Sequence, residues 1–150
     1  MLRIGDMAPE FELADQSGST VTLNQLVADG DVVLYFYPAD FSPVCTAEAC
    51  AFRDSYEDVS SVGVRVVGVS PQGVGSHQRF SNRFSIPFPL LSDPQKITIK
   101  AYGVDGPLGF GVRRATFLID AKKTVRNRVV SDLFIGSHTE LLNKTVRERV

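Results

Sequence analysis

The sequence predicts an α/β fold over residues 1–150, one domain with a mixed central sheet flanked by helices and an N-terminal β-hairpin. Three observations carry this prediction. Val32-Val33-Leu34-Tyr35-Phe36-Tyr37 and Val64 to Val69 are continuous apolar runs rich in β-branched and aromatic residues, the pattern of strands buried on both faces. Each run is followed by residues with apolar side chains at helical spacing. Two alternating segments with short turns, one early and one late, read as hairpins and make the sheet mixed.

Phe11 and Leu13 alternate with polar residues, as do Val21 and Leu23, and Asp15-Gln16-Ser17-Gly18 lies between them. Residues 11 to 23 therefore predict the first hairpin. Asn24 is expected to cap a short helix through Val27 that ends near Gly30. Pro38 stops the first buried strand, and a loop runs to Ser42. The next helix starts there, with Ser42 at the N-cap and Pro43 in the first helical position. Phe52, Tyr56 and Val59 give it a core-facing stripe, and Gly63 ends it. Ser70-Pro71 breaks the second buried strand. Ser76 to Phe84 is predicted helical, Ile86-Pro87-Phe88-Pro89 rigid and extended, and Leu90-Leu91-Ser92 a short strand. Pro94 is expected to begin a helix that reaches about Tyr102. Four glycines and one proline make residues 103 to 113 a loop. Thr116-Phe117-Leu118-Ile119 and Val125 to Val130 flank a turn at Asp120-Ala121-Lys122-Lys123. Ser137 to Val150 closes the chain as an amphipathic helix with Leu141, Leu142 and Val146 inward. This order of elements is compatible with a thioredoxin-like fold.

Composition narrows the function. Apolar residues make up 43% and charged residues 22% of the chain, and the net charge of −1 argues against a nucleic-acid or membrane-surface binder. The basic cluster Lys122 to Arg128 falls around a turn and then alternates, which fits a solvated hairpin better than a binding patch. Met1 to Glu10 carries Arg3, Asp6 and Glu10 and does not look like an export signal; no stretch approaches the length of a membrane helix. A cytoplasmic protein with reduced thiols is expected. The two cysteines are too few for a four-thiolate zinc site, and neither His77 nor His138 has a neighbouring cysteine or carboxylate that suggests a ligand set, so no metal is expected. His77 reads as a solvent-facing residue of a polar helix. His138 reads as serving the N-terminal turn of the last helix.

The chemistry concentrates in Tyr35-Phe36-Tyr37-Pro38-Ala39-Asp40-Phe41-Ser42-Pro43-Val44-Cys45-Thr46-Ala47-Glu48-Ala49-Cys50. With Ser42 as N-cap, Cys45 is the third residue of the helix. Its sulfur lies beside the free N–H groups of the first turn and the positive end of the helix dipole, which favours the thiolate, the nucleophilic form. Taken alone, Cys45 reads equally as a reactive cysteine and as a small buried hydrophobe that starts a helix. Cys50 adds a constraint. Five residues of continuous helix rise about 7.5 Å and rotate about 500°, so the Cα atoms stand about 8 to 9 Å apart. That exceeds the roughly 7 Å limit for a disulfide. A bond between them would require the first turns to unwind, which Pro43 and a cap resting on one serine hydroxyl allow. Asp40 and Phe41 sit in the loop, where Phe41 reads equally as lining an apolar pocket or as packing. Phe110, in the later glycine-rich loop, reads as a cover for the site or as an association patch.

The stretch resembles the active site of peroxiredoxins, whose common pattern is Pro, three residues, Thr or Ser, two residues, Cys; here these are Pro38, Ser42 and Cys45. The wider stretch is similar to the bacterioferritin comigratory protein, or peroxiredoxin Q, branch. Gly5-Asp6 with Ala8-Pro9 and Phe11, Leu90-Leu91-Ser92-Asp93, and Arg114-x-Thr-Phe-Leu-Ile-Asp120 all look like family landmarks in the expected order. The resemblance implies a thiol peroxidase. Cys45 would attack the peroxide and become a sulfenic acid. Cys50 would resolve it as an intramolecular disulfide. Ser42 would hydrogen-bond the peroxide, and Pro38 would shield the sulfur. Arg114 would stabilise charge at the sulfur, and Glu48 would orient that arginine. Alternation along the strand lets only one of Arg113 and Arg114 reach the sulfur, and the spacing to Phe117-Leu118-Ile119-Asp120 favours Arg114. Two positions depart from the branch. Val44 stands where Gly is frequent, which narrows access to the sulfur, and Ser42 replaces the commoner threonine. The implied partners are a hydroperoxide and a dithiol reductant, thioredoxin or glutaredoxin, with a monomer or weak homodimer as the assembly. Rival readings are a general thiol-disulfide oxidoreductase, disfavoured by four residues between the cysteines, and a redox sensor or holdase, which leaves Ser42 and Arg114 without purpose.

Overall fold

The structure, a computed structural model, describes residues 1–132 and 134–149. Val150, the expected end of the closing helix, lies outside the described residues. The elements in chain order are β1 (Glu12–Ala14), β2 (Thr20–Thr22), α1 (Leu23–Val27), β3 (Val32–Phe36), α2 (Pro43–Ser61), β4 (Arg65–Ser70), α3 (Val74–Phe84), β5 (Leu90–Ser92), α4 (Ile97–Ala101), β6 (Ala115–Ile119), β7 (Val125–Val130) and α5 (Gly136–Arg149).

The strands form a seven-stranded sheet in the order β2-β1-β5-β4-β3-β6-β7. Its centre, β5-β4-β3, is parallel, and the flanking pairs are antiparallel, so the sheet is mixed as the sequence predicts. Parallel neighbours need a crossover, which α2 supplies between β3 and β4 and α3 between β4 and β5. The N-terminal hairpin is present as β1 and β2.

Side-chain alternation splits the interior into two cores, one on each face of the sheet. Val32, Leu34 and Phe36 of β3 join Leu23, Leu26, Ile99 and Tyr102 on one face. Val33 and Tyr35 face the other way, with Tyr37 beyond the strand end, toward Phe52 and Val59 of α2, Phe80 of α3 and Leu141 and Leu142 of α5. Tyr35 lies across Gly68 of β4, its register partner; a Cβ there would stand 2.9 Å from the Tyr35 ring. The glycine thus lets the ring lie flat on the sheet, edge-on to Phe52 at 4.7 Å and stacked on Tyr37 at 5.4 Å.

Three sequence expectations change. Thr22, not Asn24, caps α1: its hydroxyl accepts from Gln25 N, and the Gln25 side chain returns a bond to Thr22 N, a closed capping box. The helix expected from Pro94 begins only at Ile97. Residues 93–96 form a turn that puts Lys96 at φ 58°, and the Asp93 carboxylate accepts from Ile99 N at 2.7 Å. His77, expected to face solvent, is fully buried. In the 103–113 loop, a 3-10 turn at Pro107–Gly109 leaves Leu108 and Phe110 exposed. No helix among the described residues is long and apolar enough to cross a membrane.

Candidate active site

The site forms where β3 ends and α2 begins, because that junction carries both the loop and the helix N-terminus. Ser42 has extended backbone and caps α2, its Oγ accepting from Cys45 N at 3.4 Å and donating to Ala39 O at 3.3 Å. Pro43 occupies the first turn, where a missing N–H costs nothing. Cys45 is therefore the third helical residue, and it is 1% exposed. Val44 beside it is over a third exposed, and Pro38 is half-buried. Phe41 takes a left-handed conformation, φ 65°, and sets its ring edge-on to Phe80 at 5.2 Å while remaining about half exposed.

The guanidinium of Arg114, buried just before β6, reaches across to this helix end. Nη2 donates to Cys45 Sγ at 3.3 Å, and Nη1 donates to Glu48 Oε1 at 2.9 Å. Its backbone N–H donates to Asp132 Oδ1 at 2.9 Å, and Nε contacts Asp132 O at 3.5 Å. Arg113 turns outward to Asp132 Oδ2, as strand alternation requires. The structure thus brings Cys45, Ser42, Glu48 and Arg114 together. Cys50 lies on the same unbroken helix, half-buried, with both cysteines as free thiols.

Burial disfavours charge on Arg114, but Glu48 and Cys45 outweigh it and keep the guanidinium cationic, above its ordinary value. For Glu48 the balance goes the other way. Burial pushes its carboxyl up from 4.5 to about 7 despite the Arg114 charge and hydrogen bond. Its second oxygen, Oε2, has no hydrogen-bond partner, and the nearest cationic candidate is His138 Nδ1 at 3.9 Å. His138 is itself buried. Thr116 Oγ1 lies 2.7 Å from Nδ1, and Nε2 lies 2.9 Å from Ser131 O. Burial holds its pKa below the usual value, so it serves as a neutral side chain bridging β6 to the 131 segment rather than the helix turn.

A stability prediction follows from Glu48. Its folded pKa lies above the unfolded one, so its protonated form favours the fold. That contribution is fully present below 4.5 and is lost as pH rises through about 7. The shift corresponds to about 3 kcal/mol. Glu48→Gln, which stays neutral, is expected to gain stability relative to wild type by about that amount between pH 4 and pH 8. Urea unfolding of both proteins at each pH measures it; a constant difference would remove the assignment.

Sequence reasoning found the core of this set but missed Asp132, His138 and Thr116. Asp132 carried one signal: an acidic residue just past the strand that pairs with the arginine's own strand. Its small burial works against ionisation, but bonds from Arg114 N–H and Arg113 hold it below the usual carboxylate range. Among the described residues no group of His, Cys, Asp and Glu has the arrangement of a metal site.

Residues 4–128 match the model of the AhpC/TSA family. Chloroplastic peroxiredoxin Q of Triticum aestivum is 44% identical over 124 residues, 81% of this chain; the chain spans 56% of that protein's length. Among solved structures, peroxidoxin BcpB of Mycobacterium tuberculosis is similar with a TM-score of 0.92 at 37% identity, covering 99% of this chain and 98% of that one. The bacterioferritin comigratory protein of Xanthomonas campestris, whose structures concern alkyl peroxide reduction, gives a TM-score of 0.83 at 26% identity over 92% and 90% of the two chains.

Proposed function

The chain belongs to the AhpC/TSA family, in the company of peroxiredoxin Q proteins, and from that membership we propose that it is a thiol peroxidase acting on hydrogen peroxide and organic hydroperoxides. One observation supports this most: a buried cysteine sulfur at a helix N-terminus with an arginine donor 3.3 Å away. Negative charge on Sγ meets the guanidinium and the positive end of the α2 dipole.

The Cys45 thiolate attacks the terminal oxygen of ROOH. The O–O bond breaks, Cys45 becomes a sulfenic acid, and ROH leaves with a proton from solvent. Ser42 holds the peroxide through its hydroxyl, Pro38 shields the sulfur, and Glu48 fixes the plane of Arg114. The Cys50 thiol then condenses with the sulfenic acid, releasing water and forming the disulfide. Because the two side chains diverge on an intact helix, this second step needs the first turns of α2 to unwind. An external dithiol, thioredoxin or glutaredoxin, returns both thiols. The reading has one domain over 1–150 working without cofactor, as a monomer or weak homodimer, in the reducing cytoplasm.

Reduced protein mixed with one equivalent of hydrogen peroxide is expected to lose both thiols and form the intramolecular disulfide. Cys50→Ser should consume one equivalent and stop as a sulfenic acid that dimedone traps. Thiols that survive peroxide in the wild type, or steady turnover of Cys50→Ser without added thiol, would sink the proposal.

A further inference from the structure

The loop of residues 38–42 joins β3 to α2 and carries the cap of α2, and it is fastened to α3 at two points. Phe41 is one, through Phe80 and Phe84. Asp40 is the other. Its Oδ1 accepts from Tyr37 OH at 2.7 Å, and its Oδ2 accepts from Ser76 Oγ at 2.7 Å and faces His77 Nδ1 at 2.6 Å. On the far side of the ring, His77 Nε2 stands 3.0 Å from Leu91 O of β5. Both His77 and Asp40 side chains are fully shielded from solvent. The peroxide chemistry uses none of these groups.

Both ring nitrogens of His77 are engaged by oxygen, Nδ1 by the Asp40 carboxylate and Nε2 by the Leu91 carbonyl, so the ring is held from both sides. Burial works against ionisation of Asp40, but the His77 bond and charge, with Ser76 and Tyr37, hold its carboxyl below the usual range. The carboxylate thus makes short, charge-assisted contacts with three side chains at once.

We propose that the Asp40–His77 pair is a latch on the α2 N-terminus that must open before Cys50 reaches Cys45, so its strength sets the lifetime of the Cys45 sulfenic acid. The inference rests on the peroxidase reading above. His77 is then a positioning residue that acts through Asp40. With the latch closed, a second peroxide can oxidise the sulfenic acid to a sulfinic acid, releasing another ROH. With the latch open, the Cys50 thiol condenses instead and water leaves.

The test separates the two steps. Reduced wild type, His77→Gln, Asp40→Asn and the milder Ser76→Ala are each mixed with one equivalent of hydrogen peroxide and quenched at intervals with dimedone and an alkylating agent. Mass spectrometry then reads sulfenic acid and disulfide. His77→Gln and Asp40→Asn are expected to consume peroxide within about twofold of the wild-type rate and to shorten the sulfenic lifetime about tenfold. Ser76→Ala, which removes one bond of the network, is expected to shorten it less. Under excess peroxide the sulfinic fraction should fall in the same order. An unchanged lifetime in all three variants, or equal factors on both steps, overturns the latch while the peroxidase reading stands. A wild type that consumes no peroxide removes both.

Discussion

Cys45→Ser is expected to reduce peroxide consumption by the reduced protein to the rate of protein-free buffer, the largest effect any single substitution should have on this chain. Nucleophilic attack on the O–O bond needs an ionised, polarizable atom, and a serine hydroxyl at the same place stays protonated. The substitution keeps the helix, because the cap bond uses the backbone N–H of residue 45 and not its side chain. It also keeps Arg114 paired to Glu48. A folded but inert protein is therefore the expected outcome, with circular dichroism matching wild type and Cys50 still open to alkylation. Rapid peroxide loss with Cys45→Ser would move the nucleophile elsewhere, and Cys50 is the sole other thiol in the sequence.

Arg114→Leu is expected to slow formation of the sulfenic acid by about a hundred- to a thousandfold, the range for removing one preorganised donor at a site where charge develops. The guanidinium is 5% exposed and held at Nη1 by Glu48 and at Nε by the Asp132 carbonyl, so it stands in place before peroxide arrives. Leucine removes the donor 3.3 Å from Sγ and the counter-charge of Glu48 together. The Glu48 carboxyl should then rise further and remain protonated above neutral pH, since burial alone would act on it. Arg114→Lys keeps one positive charge but lacks the planar fork that touches Cys45 and Glu48 at once, and should recover only part of the rate. Competition for peroxide against a peroxidase of known rate gives the constants. An Arg114→Leu rate within tenfold of wild type would show that the first turn of α2 supplies most of the stabilisation.

Much of the site was legible because its parts depend on local rules. Ser42-Pro43 is a helix start wherever it occurs before an amphipathic run, and that start fixes Cys45 as the third residue. Alternation along an extended chain assigns Arg114 inward and Arg113 outward. The sheet was legible for the same reason, since Val32 to Tyr37 alternates between two cores on its two faces. The misreadings share a different cause. His77 sits among Ser76, Gln78 and Arg79, which look solvated, yet its partners Asp40 and Leu91 O lie 37 residues before and 14 after it. His138 meets Thr116 across 22 residues. No local pattern announces a histidine whose polar needs are met by the tertiary structure. The α1 cap was missed although Thr22-x-x-Gln25 is a capping-box pattern, because Val21 and Leu23 had already drawn Thr22 into a strand. At Pro94 the reach of the Asp93 carboxylate to Ile99 N–H delayed the helix by a turn.

The ring that lies flat on Gly68 has a consequence for observing the molecule. The sequence has four tyrosines and no tryptophan, so its fluorescence is dominated by tyrosine. Tyr35 and Tyr37 are stacked on the Cys45 face, and Tyr37 donates to Asp40 in the loop that precedes α2. Tyr56 rides on α2 itself. Tyr102 is buried in the opposite core, where its hydroxyl donates to Pro9 O. The sheet thus separates three chromophores on the reactive side from one on the quiet side. Unwinding of α2 on oxidation is therefore expected to change tyrosine emission and near-ultraviolet dichroism, so the redox state can be followed optically without a label.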